Sequence, residues 1–326
     1  MIYVSQGHER SIGPEVFIKS YLSLKKDYER SNFIFVCFKK SLEDTLLTLD
    51  MDFEFWENGV FLVNKKNKSK NFLKCIFVDL LDVVDNESSL SLPQSTRTLT
   101  LAINQVANAN DVLLTLPTSK DQLILNGVQC KGYTEFFRSF YNNPSISMLF
   151  AAKKNKYVLL ITDHIPLREV CSKINSSLIH QKVGITVNNI KKYFKHQIKR
   201  VIFAGINPHA GENGLLGDEE KEIYSAVTSL SREESFKDIE LLGPYSGDAL
   251  TFYSRENSND LLVYMFHDQA LSYFKSKYGF LGLNITLGLP FLRMSVDHGT
   301  AFELYGKNQA DYLGATYLLR KALLVS

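Results

Sequence analysis

Short apolar runs that alternate with amphipathic stretches constrain this 326-residue chain more than any other feature. The six runs, rich in β-branched, leucine and aromatic residues, span residues 32–38, 75–80, 111–116, 157–162, 201–206 and 261–266. Between them apolar residues recur with helical spacing, as in residues 95–109 and 218–230, and Pro14 marks the first position of another helix. This alternation predicts an α/β fold with largely parallel strands.

The composition excludes several classes of protein. With 45% apolar and 22% charged residues, the chain is an ordinary globular protein of one large or two medium domains. The 37 basic and 35 acidic side chains are scattered, so we expect no nucleic-acid partner and only a small bound anion. No window approaches 18 uncharged apolar residues and no leader pattern is present, which predicts a cytoplasmic protein without a membrane partner.

Three histidines occupy the same local position, directly after a predicted buried strand. They are His164, His209 and His267, and the separations of 45 and 58 residues leave room for a crossover helix between each pair of strands. Parallel strands end at the same edge of a sheet, where ligands bind. The spacing therefore predicts that three imidazoles meet there, a set that suits a divalent transition metal. Asp163 and Asp268, beside two of them, are candidates to fix the ring tautomers.

Other residues near these histidines suit a small anion. Lys275 lies eight residues beyond His267, Asn284 precedes an apolar run, and Arg293 follows another, so two cations and an amide are available for a phosphate or carboxylate. Glycines in residues 205–217 allow close backbone approach around His209. Neither a GxGxxG turn after an early strand nor a GxxxxGK[ST] loop occurs, so the common dinucleotide fingerprint and the P-loop are both excluded.

Seven segments, spread over nearly the whole chain, follow the order of one family's motifs. They are residues 12–15 (IGPE), 131–135 (KGYTE), 162–167 (TDHIPL), 205–212 (GINPHAGE), 266–269 (FHDQ), 284–293 (NITLGLPFLR) and 295–302 (SVDHGTAF). In this order they resemble the 4-hydroxythreonine-4-phosphate dehydrogenases of vitamin B6 biosynthesis. The resemblance implies the isocitrate and isopropylmalate dehydrogenase fold, with two α/β/α domains flanking a cleft. It implies a discontinuous first domain over residues 1–127 and 262–326, and a second domain over residues 128–261.

The resemblance also implies an activity. It is a metal-dependent, NAD- or NADP-linked oxidation and decarboxylation of 4-phosphohydroxy-L-threonine to 3-amino-2-oxopropyl phosphate. By the same resemblance, His164, His209 and His267 bind one divalent cation per subunit, which is Zn²⁺, Mg²⁺, Mn²⁺ or Co²⁺. The ligands of this cation are drawn from both subunits of a homodimer that shares its active site.

Further residues take their expected roles from the same resemblance. The substrate contacts are Tyr133, Thr134, Lys275, Asn284 and Arg293. The catalytic residues are Lys275 and Asp248, the latter as a proton acceptor. A loop over residues 298–307 resembles the adenosine-binding loop of the wider dehydrogenase group, which binds NAD(P) without the Rossmann fingerprint. Its cofactor-binding residues are His298, Gly299, Thr300, Ala301 and Gly306.

Several positions depart from the family pattern and leave alternatives open. His-Glu-Arg-Ser at residues 8–11 stands where relatives usually have Asp-Pro-Ala-Gly after the first glycine, and Tyr133 stands for a usual histidine. Asn308 and Ala270 each stand for a usual glycine. A dehydrogenase of erythronate or threonate 4-phosphate is therefore the nearest alternative. A metal-dependent hydrolase and a non-catalytic paralogue are more distant ones, and the adenosine-type loop argues against the hydrolase.

Overall fold

The computed structural model describes residues 1–24, 27–63, 65, 69–81, 91–108, 110–254 and 259–326. They form two compact units, Met1–Phe140 with Pro290–Ser326, and Tyr141–Leu289. These limits differ from the boundaries at 127/128 and 261/262 that the resemblance implied. The ring of Tyr133 packs on Arg293 inside the first unit, and residues 283–287 pair with residues 147–151 inside the second. These contacts place residues 128–140 in the first unit and residues 262–289 in the second. The roles of the two domains stay a prediction.

The strands are numbered in chain order. They are β1 (Ile2–Ser5), β2 (Phe33–Cys37), β3 (Asp52–Trp56), β4 (Gly59–Val63), β5 (Lys70–Phe77), β6 (Val112–Thr115), β7 (Ile124–Leu125), β8 (Val128–Gln129), β9 (Ser147–Ala152), β10 (Lys156–Leu160), β11 (Arg200–Ala204), β12 (Glu240–Tyr245), β13 (Asp260–Tyr264), β14 (Leu283–Leu287) and β15 (Leu292–Val296). All six predicted strands are confirmed. The run over residues 75–80 is the exception in length, since its strand ends at Phe77 and a helical turn follows.

The α-helices are numbered in the same way. They are α1 (Gly13–Ser23), α2 (Asp27–Arg30), α3 (Lys39–Thr48), α4 (Val78–Leu81), α5 (Gln94–Gln105), α6 (Tyr133–Phe140), α7 (Val170–Lys173), α8 (Ser176–Asn189), α9 (Glu220–Leu230), α10 (Leu250–Tyr253), α11 (His267–Tyr278) and α12 (Leu313–Val325). Helices were predicted over residues 95–109 and 218–230, and α5 and α9 confirm them with shifted ends; residue 109 lies outside the described residues. Within the described ranges, no helix is long and apolar enough to cross a lipid bilayer.

The first unit is built on a mainly parallel sheet in the order β15-β6-β1-β2-β5-β4-β3. Strands β15, β6, β1, β2 and β5 pair in parallel, and the β3–β4 hairpin extends the β5 edge in antiparallel pairing. Helix α5 contacts β1, β2 and β6, while α12 packs on β15 and on α1. Strand β6 is buried along its length and β1 at three of its four residues, as expected of parallel strands covered by helices.

The second unit has the strand order β12-β11-β13-β10-β9-β14. Alternate strand residues, among them Phe150, Leu160, Ile202 and Leu262, form a core cluster with Phe274 of α11. The intervening residues of these strands point to the opposite face and are buried as well. Helix α8 packs against β9 and β14, and α9 packs against α8 and β12. The apolar runs are continuous because the sheet is buried on both faces.

Strands β11, β13 and β10, which precede the three histidines, are parallel neighbours in that order. Arg200 and Asp260 are paired residues at the first positions of β11 and β13. The Nε and Nη2 atoms of Arg200 donate to the two carboxylate oxygens of Asp260 at 3.0 and 2.5 Å, and both side chains are buried. This bidentate pair fixes the register of the two strands at the end opposite to the histidines.

Asp260→Asn is expected to lower the free energy of unfolding by about 3–5 kcal/mol, because it leaves the buried Arg200 cation uncompensated. Urea denaturation measures the loss. Asp44→Asn removes one carboxylate from the exposed Lys40 pair on α3 and is expected to change stability little. Equal losses in the two variants would contradict this account of the strand register.

Candidate active site

His164 and His267 meet at the carboxyl ends of β10 and β13. Their ring centroids are 5.4 Å apart. The Nδ1 atom of His267 lies 2.8 Å from a carboxylate oxygen of Asp268, which confirms the predicted contact with that ring. When Nδ1 donates its proton to the carboxylate, Nε2 carries the lone pair that a metal ligand needs. For the other predicted carboxylate, Asp163, one oxygen accepts a hydrogen bond from the backbone N–H of His164 at 3.0 Å.

His209 begins a loop with an unusual backbone. Residues 209–213 all have positive φ angles, from 46° to 76°, and Gly211 is the one glycine among them. Successive non-glycine residues in this left-handed region each cost about 1–2 kcal/mol. Such a turn persists only where surrounding contacts hold it, and strained turns of this kind cluster at functional sites.

Glu220, the first residue of α9, holds this loop. Its side chain is buried, and Oε1 accepts hydrogen bonds from the backbone N–H groups of Ile206 and Asn207 at 2.9 and 2.7 Å. Oε2 accepts a third hydrogen bond from Nδ2 of Asn207 at 3.0 Å. A Cβ atom at Gly211 would lie 2.5 Å from Oε2, and the φ of 76° favours glycine, so a larger residue there would disturb both the turn and the Glu220 side chain. Sequence reasoning missed Glu220, because only the fold shows that this helical glutamate is buried.

Gln269 joins the ends of two strands at the same edge. Its Oε1 accepts a hydrogen bond from the backbone N–H of Met265 at 2.9 Å, and its Nε2 donates to the carbonyl oxygen of Gly205 at 2.7 Å. The side-chain amide therefore links the end of β13 to the end of β11. Sequence reasoning included Gln269 in a motif but gave it no role.

A cavity of about 520 Å³ opens beside His209. Asp248, Ser246 and Gln269 contribute to its lining. The Ser246 hydroxyl donates to the carboxylate of Asp248. This hydrogen bond chiefly, with a smaller contribution from His209, holds the pKa of Asp248 below its ordinary value. Asp248 is therefore an ionised acceptor at neutral pH, next to a predicted metal ligand.

Among the described residues of one chain, no group of three or more His, Cys, Asp or Glu side chains is arranged to hold a metal ion. The structure instead pairs His164 with His267 and places His209 in the cavity with Asp248. Two imidazoles, one with its tautomer fixed by Asp268, fit part of a metal donor set. A complete set needs a further ligand, which the sequence analysis expects from a second subunit, so the metal site stays a prediction.

Two other predicted residues of the second unit lie apart from this cavity. Lys275 is exposed on α11, two helical turns after His267, and Asn284 is half-buried on β14. Neither is among the described residues that line the cavity. Their expected contacts with substrate stay predictions.

In the first unit, Arg293 on β15 is 2% exposed. Its guanidinium lies 4.7 Å from the ring centre of Tyr133 and 5.9 Å from that of Phe137, and its Nε donates to the Thr115 hydroxyl at 3.1 Å. Burial lowers the pKa of Arg293 to about 10, against an opposing effect of Tyr133, so the side chain remains a cation at neutral pH. Thr134, buried at the start of α6, follows Tyr133. Arg293 and Tyr133, two of the predicted substrate residues, thus form one cation–π pair, while the expected role of Thr134 stays a prediction.

The comparisons with known proteins agree with the motif order. The family model described as "Pyridoxal phosphate biosynthetic protein PdxA" matches residues 29–318. The chain belongs to the PdxA family.

Relatives of this PdxA-family chain match over nearly its full length. A 4-hydroxythreonine-4-phosphate dehydrogenase of a Sulfurihydrogenibium species is 32% identical, with 99% of this chain and 97% of the relative covered. A putative D-threonate 4-phosphate dehydrogenase of Oceanobacillus iheyensis is also 32% identical, with the same coverage. The crystal structure of a 4-hydroxythreonine-4-phosphate dehydrogenase from Burkholderia phymatum has a TM-score of 0.74 at 27% identity and covers 99% of this chain and 97% of that one.

The predicted cofactor loop of this PdxA-family chain is fastened to the loop that precedes α1. The carbonyl oxygen of Thr300 accepts a hydrogen bond from the N–H of Ile12 at 3.0 Å, and the rings of His8 and Phe302 meet edge to face at 4.8 Å. Ala301 and Gly306 have φ angles of 45° and 74°. His8, one of the departures from the family pattern, therefore contacts the candidate cofactor loop.

The far end of this loop is held by a buried carboxylate. Glu15 on α1 accepts hydrogen bonds from the N–H of Ala310 at 2.9 Å and from Nζ of Lys19 at 2.6 Å. Asn308 has a φ of 55°, in the left-handed region that asparagine tolerates better than most residues. This explains how Asn308 can stand for the usual glycine without rebuilding the turn.

Glu220→Gln is expected to lower the free energy of unfolding by about 1–3 kcal/mol, because one of the two acceptor oxygens becomes an NH₂ group that faces backbone or side-chain donors. Glu219→Gln is the matched control, since the Glu219 carboxylate is only half-buried and accepts from the Nδ2 of the same Asn207 at 2.6 Å. We expect little change in that variant. Urea denaturation of both compares the losses, and equal losses would contradict the role of Glu220.

Proposed function

We propose that this chain is a metal-dependent, NAD- or NADP-linked 4-hydroxythreonine-4-phosphate dehydrogenase. It would oxidise and decarboxylate 4-phosphohydroxy-L-threonine to 3-amino-2-oxopropyl phosphate, as part of pyridoxal phosphate biosynthesis. The observation that carries the proposal is the meeting of His164 and His267 at one sheet edge, together with His209 and Asp248 beside a cavity at that edge. The full-length match to dehydrogenases of this name supports it.

The proposed metal would be held by His164, His209 and His267. When bound, a divalent cation stabilises negative charge on the substrate oxygen during oxidation and on the enolate that remains after loss of CO₂. Asp268 keeps His267 in the tautomer that offers Nε2. The Glu220 carboxylate holds the backbone on which His209 is mounted. These two carboxylates position ligands and do not touch the substrate.

Asp248 is the residue proposed to take the proton of the substrate's secondary alcohol. It is ionised at neutral pH and lies in the cavity with His209. Bound NAD or NADP would accept the hydride from the carbon that carries this alcohol. Breakage of the C–C bond to the carboxylate would then release CO₂, and the remaining enolate would take up a proton at carbon to give 3-amino-2-oxopropyl phosphate. Lys275 remains a proposed catalytic and substrate-binding residue, although it is not among the described residues that line the cavity.

Arg293 is the proposed anchor for the substrate phosphate. A buried guanidinium that stays charged offers a fork of N–H donors to a phosphate, while the face of Tyr133 supports its charge. Thr134 and Asn284 are proposed to add polar contacts. For NAD(P), the proposed contacts are His298, Gly299, Thr300, Ala301 and Gly306. A Cβ atom at Gly299 would meet no neighbour within 4 Å, so the backbone there is accessible to a ligand.

D-threonate 4-phosphate is the second candidate substrate. The relative from Oceanobacillus iheyensis carries that name as a putative dehydrogenase and matches as well as the others. Tyr133, which stands for the usual histidine, is a second reason to test it. The two substrates differ in whether the carbon next to the carboxylate bears an amino group or a hydroxyl group. Erythronate 4-phosphate belongs in the same comparison.

We also propose a homodimer that shares its active sites, since the described residues of one chain supply no complete metal donor set. A biosynthetic role of this kind is consistent with a cytoplasmic location, which we likewise propose. Analytical ultracentrifugation tests the dimer.

The deciding assay follows formation of NADH or NADPH at 340 nm with each phosphorylated four-carbon acid. We expect turnover of 4-phosphohydroxy-L-threonine, with CO₂ released in equal amount. Preferred turnover of D-threonate 4-phosphate would replace the first candidate with the second. No reduction of either cofactor with any of the three acids, with Zn²⁺, Mg²⁺, Mn²⁺ and Co²⁺ each supplied, would reject the dehydrogenase and favour a non-catalytic paralogue.

Metal removal gives a separate prediction. A chelator, or His267→Ala, is expected to lower kcat/KM by at least about 100-fold, because the charge on the reacting oxygen loses its Lewis acid. His180→Ala is the matched control, since His180 pairs with Glu233 at 2.6 Å on α8, outside the candidate site. Activity that survives both the chelator and His267→Ala would exclude the metal-assisted mechanism.

Arg293→Lys is expected to raise KM for the phosphorylated substrate by about 10- to 100-fold, because an ammonium group cannot reproduce the guanidinium fork. The effect on kcat should be smaller. Arg320→Lys, an exposed replacement of the same type on α12, is the control. Steady-state kinetics of the three proteins decide the matter, and an unchanged KM in Arg293→Lys would remove Arg293 from the phosphate site.

A further inference from the structure

Tyr264, the last residue of β13, has a feature that the proposed mechanism does not use. Its side chain is fully buried, yet it forms part of the wall of the cavity that also contains His209 and Asp248. Its hydroxyl group has no hydrogen-bond partner among the described residues. A buried hydroxyl without a partner costs free energy, so proteins rarely keep one without a reason.

The hydroxyl of Tyr264 is a donor at neutral pH. Burial raises the pKa of Tyr264 well above its ordinary value, and the neighbouring Tyr273 acts in the same direction. Tyr273 also lines the cavity and packs against the core cluster that contains Tyr264. The proton therefore stays on the phenol, which can donate it in a hydrogen bond to an acceptor of a ligand.

The cavity lining indicates which kind of acceptor fits. Besides the two tyrosines it offers hydroxyl and amide groups, from Ser246, Thr251, Ser272, Asn207 and Gln269. Neither lysine nor arginine is among the described lining residues, and Asp248 contributes a negative charge. A phosphate group is disfavoured in such a cavity. A neutral hydroxyl or carbonyl oxygen is compatible with this lining, since the Tyr264 hydroxyl has no other partner among the described residues.

We propose that the Tyr264 hydroxyl donates a hydrogen bond to a hydroxyl or carbonyl oxygen of the substrate, at the end remote from its phosphate. This inference rests on the proposed function, because it takes the ligand of the cavity to be a phosphorylated hydroxy acid. Tyr264 is then a substrate-binding residue that favours ligands with an oxygen acceptor at this position. Its unsatisfied hydroxyl in the free protein is the cost of that selectivity.

Tyr157 provides a matched comparison in the same unit. It is also a buried strand tyrosine, but its hydroxyl lies 2.7 Å from Nδ1 of His196, and it is not among the residues that line the cavity. Removing this hydroxyl breaks a hydrogen bond that the free protein already has. Removing the Tyr264 hydroxyl breaks none with the described residues.

The first experiment is thermal unfolding of the ligand-free protein. Tyr157→Phe is expected to lower the melting temperature, whereas Tyr264→Phe is expected to leave it unchanged or raise it. A purely structural role for the Tyr264 hydroxyl predicts the reverse for Tyr264→Phe. A decrease as large as that of Tyr157→Phe would overturn the proposal.

The second experiment is steady-state kinetics with the phosphorylated acid that the wild-type protein turns over. Loss of one hydrogen bond to a neutral acceptor is expected to raise KM about 3- to 15-fold in Tyr264→Phe, with a smaller change in kcat. Tyr157→Phe should keep the wild-type KM. An unchanged KM in Tyr264→Phe would overturn the inference while turnover by the wild-type protein upholds the proposed function.

A third measurement distinguishes a failure of the proposed function from a failure of the Tyr264 inference. If the wild-type protein turns over none of the three acids, the proposed function fails, and D-threonate without its phosphate becomes the probe for the cavity in isothermal titration. Weaker binding to Tyr264→Phe than to the wild-type and Tyr157→Phe proteins would support the donor role. Equal binding to all three, or no binding, would reject it.

Discussion

The parallel pairing of β11, β13 and β10 is the constraint on which the candidate active site depends. Parallel neighbours cannot be joined by tight turns, so each strand is followed by a loop and a helix that returns to the opposite edge. The loops after these strands therefore emerge at one edge. At the other end, the buried Arg200–Asp260 pair fixes the register of two of the strands. Histidines more than 40 residues apart in sequence become neighbours through this pairing.

At the carboxyl edge of these strands, side-chain carboxylate and amide groups hold the loop backbone in place through hydrogen bonds. Glu220 collects three donors from the chain before His209, and Gln269 joins the ends of β11 and β13. The left-handed turn over residues 209–213 is unfavourable by itself, so these contacts have to offset its strain. The position of His209 thus depends on residues of α9 and α11 as much as on its own loop.

The strands and the place of the histidines could be predicted because both follow from local patterns. Apolar runs predict the strands, and the first polar residues after each run predict which side chains lie at the carboxyl edge of the sheet. The partners of each side chain could not be predicted in this way, because they depend on packing between segments far apart in sequence. Tyr133 and Arg293 were both expected near the substrate, but only the fold shows that the Tyr133 ring packs against the Arg293 guanidinium. The roles of Glu220 and of the Tyr264 hydroxyl, which has no partner among the described residues, became apparent only once burial was known.

Tyr133 contacts the proposed phosphate site and not the end of the substrate at which the two candidates differ. Because its ring lies on Arg293, the replacement of the usual histidine alters the proposed phosphate site, and both candidate substrates carry a phosphate. The replacement therefore cannot by itself separate an amino group from a hydroxyl group at the other end of the molecule. Discrimination between the amino and the hydroxyl group depends on the residues that contact the end of the substrate remote from its phosphate. In the cavity these are the ionised Asp248, which favours an ammonium group, and the Tyr264 hydroxyl, which favours an oxygen acceptor. On the proposed function, the distances of Asp248 and Tyr264 from the carbon next to the carboxylate would therefore influence which of the two candidates the chain prefers.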